Sequence, residues 1–512
     1  MAPNNDKCWL AWLARLVAIS SGVYFFSLMT ADPDLWGHLK FGQDLWKAGA
    51  IPLLDPYSFT VHGGPWINHE WLAELICFGC YHFFSSAGLL LGKLAIGLFI
   101  LGLMDRICAR RETNPLSYAL AMVLGAGTMA PGFMIRPQLF SFLFFAVFIW
   151  ALHAYFSGNK KALYLLPPVM VLWVNLHGGF LMGWTLLAVA LGWQTGVDWL
   201  LRRKIKAPAL LWICFVLTSL AALANPYGYK LLVFLVDAVS MKRPISEWAP
   251  VQLFDLSFLP FKLLVVLFFI VLAANWKQSP GWEVMGILMT LAGSVLHQRH
   301  MPFFGIIAAP YVVFGLSRTA RRIAAWRPSM ALTSHGRALF GILLCGIILC
   351  QLYSGALRYV RTGCRVIADP DVYPVAAVRF IQQNSFKGNL LTLFDWGEYA
   401  IWKLYPDCRV SIDGRFETVY PPSVIADHFF PQNSSAGWTR LLEKYPSDML
   451  LVRQNPYFQS LISNSDGKWV YVYSDRLAIV FLKNSEKNRP YLERMAANGF
   501  VYSKAPVSPF FP

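Results

Sequence analysis

Charge is what this sequence has least of. Only 14% of its 512 residues are charged, where soluble domains carry about 25%. A deficit of that size points to lipid as the solvent for much of the chain. Acids are the scarcer sign, with 28 Asp and Glu against 44 Lys and Arg, a net charge of +16. No basic stripe or recognition motif accompanies that excess, which speaks against nucleic acid as a partner. The nine cysteines are scattered. Cys77-x-x-Cys80 has no second pair and lies in an aromatic, apolar stretch, so zinc is not indicated. Cys364 and Cys408 both fall in the last third of the chain and could pair if that part is extracytoplasmic, but spacing does not fix their distance. The N-terminal stretch does not read as a cleavable leader. The apolar stretch within Met1–Thr30 is long, holds Arg15 and lacks a small-x-small site, so a retained first span is expected. There is no internal repeat and no low-complexity tract.

What is present is a series of apolar runs of membrane-crossing length. With 56% hydrophobic residues, about eleven spans are expected, near 9–30, 87–105, 116–133, 138–157, 162–176, 180–200, 208–224, 261–276, 281–297, 302–317 and 338–356. The fifth is short and contains Pro167-Pro168. Long connections cover 31–86 and 225–260. Alternate gaps are basic: Arg106, Arg110 and Arg111; Lys160 and Lys161; Arg202, Arg203, Lys204 and Lys206; Lys277; and Arg318, Arg321, Arg322, Arg327 and Arg337. The positive-inside rule puts these in the cytoplasm and the two long connections outside, together with everything after 356. Two regions follow, a membrane domain over 1–356 and an outer domain over 357–512. In the latter, strand-length runs at Leu390–Phe394, Arg409–Ile412, Asp448–Val452 and Trp469–Tyr473 alternate with helical patterns at Tyr373–Gln383 and Trp438–Tyr445. Trp469–Asp475 and Leu477–Lys483 read as a hairpin. The expected fold is an α-helical polytopic membrane protein with a small α/β domain at its end.

The chemistry is distributed unevenly between the two faces. The cytoplasmic gaps hold mostly Lys and Arg. The outer ends hold Asp32, Asp34, His38, His69, Glu70, Arg136, Asn175, His177, Asn225, Tyr227, Glu247, His297, Arg299 and His300, a mixed set at one depth. Ionisable groups near the membrane are costly and tend to mark function. Asp32-Pro33-Asp34 can hold a divalent cation or supply a general base. An Asp before the helical pattern of Leu35, Leu39 and Trp46 is equally a good N-cap, and the two readings compete. That helix and the next, Trp71–Phe84 after His69-Glu70, are expected to lie in the interfacial plane. Arg136 and Arg299 suit a phosphate, which a guanidinium grips with two parallel donors.

This organisation resembles the GT-C superfamily of polytopic glycosyltransferases: an acidic motif in the first outer loop, two interfacial helices there, many spans and, in some branches, a C-terminal soluble domain outside. It is most similar to the bacterial aminoarabinose- and mannosyl-transferase types. In the tail, Leu393-Phe394-Asp395-Trp396-Gly397-Glu398-Tyr399 resembles the tryptophan-aspartate-tyrosine-glycine motif of oligosaccharyltransferase subunits, with Asp413-Gly414-Arg415 after the next strand. For these tail residues the other reading is turn chemistry, with Gly397 and Gly414 ending strands and Asp413 capping a turn. The resemblance implies sugar transfer from a polyprenyl-phosphate donor to a glycan, lipid or protein acceptor on the outer face of a bacterial inner membrane. It implies catalytic roles for Asp32, Asp34 and His38 and donor-phosphate binding by Arg136 and Arg299. Supporting roles fall to His69, Glu70, His177, Asn225, Tyr227, Glu247 and His297, and acceptor-side roles to Asp395, Trp396, Tyr399, Asp413 and Arg415. Some relatives need a divalent cation such as Mg or Mn, here held by Asp32 and Asp34, and some do not. The rival reading is a transporter or flippase, whose polar groups sit near the bilayer midplane on broken helices rather than at one end. A polymerase or ligase of surface polysaccharide is chemically close to the first reading.

Overall fold

A computed structural model describes residues 5–202, 209–241, 243, 245–252, 254–327, 333–429, 435–458, 467–498 and 508–511. Arg203, Lys204 and Lys206 of the third basic gap lie outside the described residues. In chain order the helices are α1 (Asn5–Phe26), α2 (Leu35–Ala48), α3 (Trp71–Cys108), α4 (Pro115–Met129), α5 (Gln138–Phe156), α6 (Leu166–Val174), α7 (Phe180–Arg202), α8 (Ala209–Ala221), α9 (Tyr229–Ser240), α10 (Leu259–Asn275), α11 (Gly281–Leu296), α12 (Met301–Trp326) and α13 (Ser334–Thr362). Then come α14 (Val375–Gln383), α15 (Phe394–Leu404), α16 (Pro422–Phe429), α17 (Ser435–Lys444) and a last helix, Arg489–Asn498. The strands are β1 (Gly388–Thr392), β2 (Cys408–Val410), β3 (Met449–Arg453), β4 (Trp469–Ser474) and β5 (Ala478–Lys483).

The chain is an integral membrane protein. Six helical stretches among the described residues are long and apolar enough to cross a bilayer, judged by length and composition: Trp9–Phe26, Trp71–Cys108, Gln138–Phe156, Leu259–Gln278, Gln298–Trp326 and Ser334–Thr362. Ala209–Ala221 and Gly281–Leu296 are shorter apolar helices. Each of the eleven apolar segments expected from sequence holds a helix. The fifth is α6, preceded by a 3-10 stretch at Lys160–Leu165, with its prolines in the first turn, where an absent N–H costs nothing.

The chain forms two compact units, one of residues 1–28 with 89–364, the other of 29–88 with 365–512. The first is a helical bundle. Local chemistry marks its helix ends. Asn114 caps α4 by accepting from the Leu116 and Ser117 N–H groups, with Pro115 at the first position. Thr333 caps α13 through the Gly336 N–H, and Gly363 ends it with φ 58°, the left-handed conformation glycine adopts without strain.

The second unit is built on a five-stranded mixed sheet in the order β2-β1-β3-β5-β4. β1 pairs in parallel with β2 and β3, and β5 runs antiparallel to β3 and β4. The βαβ step from β1 through α15 to β2 needs a crossover; the β4–β5 hairpin closes on Asp475, whose Oδ1 accepts from the Leu477 and Ala478 N–H groups at 2.8 Å each. Residues 29–88 pack with this sheet. Thr30 bridges Ile367, and Ser58 bridges Val410.

Two expectations change here. Asp395 to Tyr399 do not form a turn ending a strand: β1 stops at Thr392 and Phe394 opens α15, so Gly397 lies inside a helix. And α2 is not a half-exposed interfacial helix. Leu35 to Gly42 are buried on every side, because the helix sits inside the second unit, and only its far end, at Trp46, is exposed. Cys364 and Cys408 are both free thiols.

Candidate functional site

In the second unit, the acidic motif, α2, α15 and the loop after β2 converge. Asp32 is buried, and its Oδ1 accepts the Asp34 N–H at 3.1 Å. Asp34 occupies the N-cap position of α2, but its side chain makes no capping hydrogen bond. Its carboxylate turns elsewhere. A Cβ built on Gly414 would stand 2.5 Å from Asp34 Oδ1 and 2.6 Å from Glu398 Oε1, so the two carboxyl groups flank one glycine. Glu398 also accepts the Gly37 N–H at 3.1 Å, and a Cβ on Gly37 would lie 2.3 Å from the Glu398 carboxyl. Only glycine allows backbone this close to a carboxyl group. Burial pushes the Glu398 pKa well above 4.5, and the charges of Asp34 and Asp413 push it further. Glu398 thus has its pKa raised beside a second carboxyl group, and unlike environments of this kind push the pKa values of neighbouring acids apart.

Around this pair the other expected residues take distinct places. His38 lies 3.9 Å from Glu74. Burial lowers the basicity of its ring, yet Glu74, Glu70 and Asp34 outweigh that and raise its pKa above 6.5. His69 and Glu70 face each other at 3.7 Å, and Asn68 ties that turn to Glu74 at 2.7 Å. Trp396 is fully buried, its indole N–H bonded to the Val372 carbonyl. Tyr399 is buried edge-on against Trp36, with ring centroids 4.9 Å apart. Asp395 is exposed in the first turn of α15.

Arg415 is buried among Phe41, Tyr57 and Trp66, its guanidinium within 5.1 Å of each ring centroid. It grips Asp413 with two parallel bonds of 2.8 and 2.7 Å and reaches Asp55 at 2.7 Å. Tyr420 donates to Asp413 at 2.6 Å. Asp413 also accepts the Arg415 N–H, so the turn expected there is present. The geometry makes this cluster a buried ionic keystone that fixes the loop carrying Gly414.

The first unit gathers a second set. Arg136 donates to Glu247 at 2.6 Å. Arg299 donates to Gln138 at 3.2 Å and lies 4.6 Å over the Trp248 ring. Arg243 lies 4.1 Å over the same ring. Desolvation opposes ionisation of Glu247, but Arg136, Arg299 and His177 more than offset it and hold its carboxyl below the usual range. The two arginines therefore share one acidic neighbour. His297 bonds the Trp248 carbonyl at 2.8 Å, and His300 stacks edge-on to His297. His177 Nδ1 accepts from the Gly179 N–H at 2.9 Å and lies 2.8 Å from the Ser141 hydroxyl, itself bonded by Trp173. That leaves Nε2 as the protonated nitrogen. Asn175 and Asn225 spend their amides on backbone carbonyls, and Asn225 also accepts the Tyr227 N–H; both shape turns.

The described residues gather no group of three or more His, Cys, Asp or Glu side chains able to hold a metal ion. Asp32 and Asp34 alone are too few for a dedicated protein cage, though Mg can be held by one or two carboxylates together with substrate phosphates. Glu398 and Trp248 were not singled out from sequence. The signal for Glu398 was an acid three residues after Asp395 on a helix not foreseen there.

No family model matches the sequence, and no curated protein matches it. Solved structures do. The archaeal oligosaccharyltransferase AglB from Archaeoglobus fulgidus, in complex with an inhibitory peptide and a dolichol-phosphate, aligns over 93% of this chain and 74% of its own at 11% identity, with a TM-score of 0.57. The Archaeoglobus fulgidus oligosaccharyltransferase in the apo form aligns over 94% and 75% at 11% identity, with a TM-score of 0.59. ArnT from Cupriavidus metallidurans bound to undecaprenyl phosphate aligns over 93% and 98% at 13% identity, with a TM-score of 0.47. The chain therefore shares its fold with the two Archaeoglobus fulgidus oligosaccharyltransferase structures.

Proposed function

We propose that this protein is a glycosyltransferase that moves a sugar from a polyprenyl-phosphate carrier to an acceptor on the outer face of the membrane. The observation that carries the reading is the Asp34–Glu398 pair: an acidic-motif carboxylate that does not cap its helix, set beside a buried carboxyl group at Gly414. A solved oligosaccharyltransferase of this fold, in complex with a dolichol-phosphate, lends it support.

In the reaction, an acceptor hydroxyl or amide attacks C1 of the sugar. The new bond forms there, the C1–O bond to phosphate breaks, and the carrier phosphate leaves with the electron pair. Asp34 takes the acceptor proton. Glu398, whose pKa burial raises, adjoins Asp34 at Gly414. Separately, we propose Arg136 and Arg299 of the first unit as phosphate-binding residues, since charge stabilisation of a leaving group usually dominates; to bind phosphate, Arg136 must loosen from Glu247. Asp32 braces Asp34. Any divalent cation would be held at Asp32 and Asp34 and would polarise the phosphate.

For topology we propose the eleven crossings read from the sequence, with the unit of residues 29–88 and 365–512 outside. The test of the chemistry is sugar transfer by Asp32→Asn and Asp34→Asn variants. Asn caps helices as well as Asp does, so a capping role predicts near-normal turnover. A general base predicts a fall of about 10²–10⁴-fold for Asp34→Asn with its melting temperature kept. Wild-type rates in both variants would remove the acidic motif from the mechanism.

A further inference from the structure

The second unit contains a cavity of about 340 Å³ that the proposed chemistry does not use. Its lining includes Arg365, Arg379, Lys403, Tyr399, Phe510 and Phe511, and no lining residue is acidic. The three cations come from three places in the chain: the segment after α13, α14 and α15. None of them pairs with a carboxylate among the described residues. Arg365 lies instead over the Phe510 ring, 4.6 Å from its centroid. Phe511 is buried and stacks on Trp36 at 4.5 Å, which makes one wall rigid and apolar. Desolvation, and then the charge of Arg379, lower the Lys403 ammonium below its usual range. Three like charges drawn around one concavity without a counter-acid repel each other, and a bound anion would relieve that.

We propose that this cavity binds a phosphate group carried on an apolar moiety. Three positive charges match a phosphate monoester, with a charge of about −1.5 to −2 at neutral pH, better than a single carboxylate. Two arginines supply the planar donors that phosphate oxygens accept, and the phenylalanines face the apolar part. Arg365 comes three residues after the end of α13, so a membrane phospholipid is one source of such a group. A free phosphorylated molecule is the other.

The test is equilibrium binding to the purified full chain in phosphatidylcholine nanodiscs, with two probes: dioctanoyl phosphatidic acid and inorganic pyrophosphate. Arg379→Gln and Lys403→Gln should each weaken binding about 10-fold or more, as expected for loss of a charged hydrogen-bond donor, while Lys403→Arg should keep it. Binding of phosphatidic acid alone assigns the site to a lipid headgroup. Equal binding of pyrophosphate assigns it to a free phosphate. An independent reading needs no variant: phosphatidic acid or pyrophosphate should slow acetylation of the Lys403 amine in the wild-type protein. If neither probe binds or protects Lys403, or if a stably folded Arg379→Gln variant binds as tightly as wild type, the cavity is not a phosphate site.

Discussion

At the scale of single residues, Glu398 is the group whose behaviour the structure constrains most. Its pKa in the folded protein lies well above 4.5 because it is buried beside Asp34 and Asp413. The folded state therefore holds this proton more tightly than the unfolded chain. Its contribution to stability is fully present below pH 4.5 and is lost as pH rises through the folded pKa. Glu398→Gln keeps the shape and has no proton to lose. The difference in melting temperature between wild type and Glu398→Gln should shift in favour of the variant as pH rises from about 4.5 upward. A difference independent of pH would mean that Glu398 is ionised in the fold. The arginines make a second prediction at this scale. Arg136 and Arg299 share Glu247, so a lysine at either position keeps charge but loses the planar fork. Each variant should bind a polyprenyl-phosphate donor more weakly by about 10-fold without unfolding. Normal donor affinity in both would place phosphate recognition elsewhere.

At the scale of elements, the site depends on how closely α2, α15 and the loop after β2 approach. Gly414 admits both the Asp34 and Glu398 carboxyl groups within 2.6 Å of where its Cβ would be. Gly414→Ala should therefore force both acids apart, at a cost of about 1–3 kcal/mol as in other overpacked cores. Its melting temperature should fall, and residual sugar transfer measured below that temperature should be lower than in wild type. Unchanged turnover would show that the two acids need not adjoin. This dependence also marks what could be read from the chain. The eleven apolar segments, the hairpin and the strand-length runs were legible, since hydrophobic period and turn residues act locally. The acidic motif could be singled out by its place after the first apolar run. What was hidden was tertiary. Nothing local tells that Gly37, Gly414 and Glu398, more than 360 residues apart at the extremes, meet in the fold. The same holds for Arg415, whose exposed-looking Asp-Gly-Arg string is spent on Asp413, Asp55 and an aromatic cage. The helix at Phe394–Leu404 was missed because its first turn carries Asp395 and Gly397, residues that favour turns when read one at a time.

At the scale of the whole molecule, the composition of the second unit fixes a parity. Residues 29–88 and 365–512 pack as one compact unit, and in the proposed topology that unit lies on one side of the bilayer. Under that proposal the chain between them crosses an even number of times. Five of the six long apolar helices among the described residues lie wholly or partly in that interval, and the proposed topology adds α4, α6, α7, α8 and α11. The proposed eleven spans place ten crossings there, an even number. For the side, the proposal rests on the basic gaps, which by the positive-inside rule favour an outer unit. An epitope tag inserted at the exposed His62–Gly63 turn and a reporter fused after Tyr420 should both report an external location in intact cells, and a tag in the Lys160–Lys161 gap should become accessible only after lysis. Both probes inside would reverse the orientation and with it the access of the proposed acids to outward-facing donors. Probes on opposite sides would contradict the packing of residues 29–88 against the sheet. The tag in the Lys160–Lys161 gap separates these cases, because an even count between the two halves of the unit holds whichever way the protein faces, whereas the basic gaps can be reached from only one side.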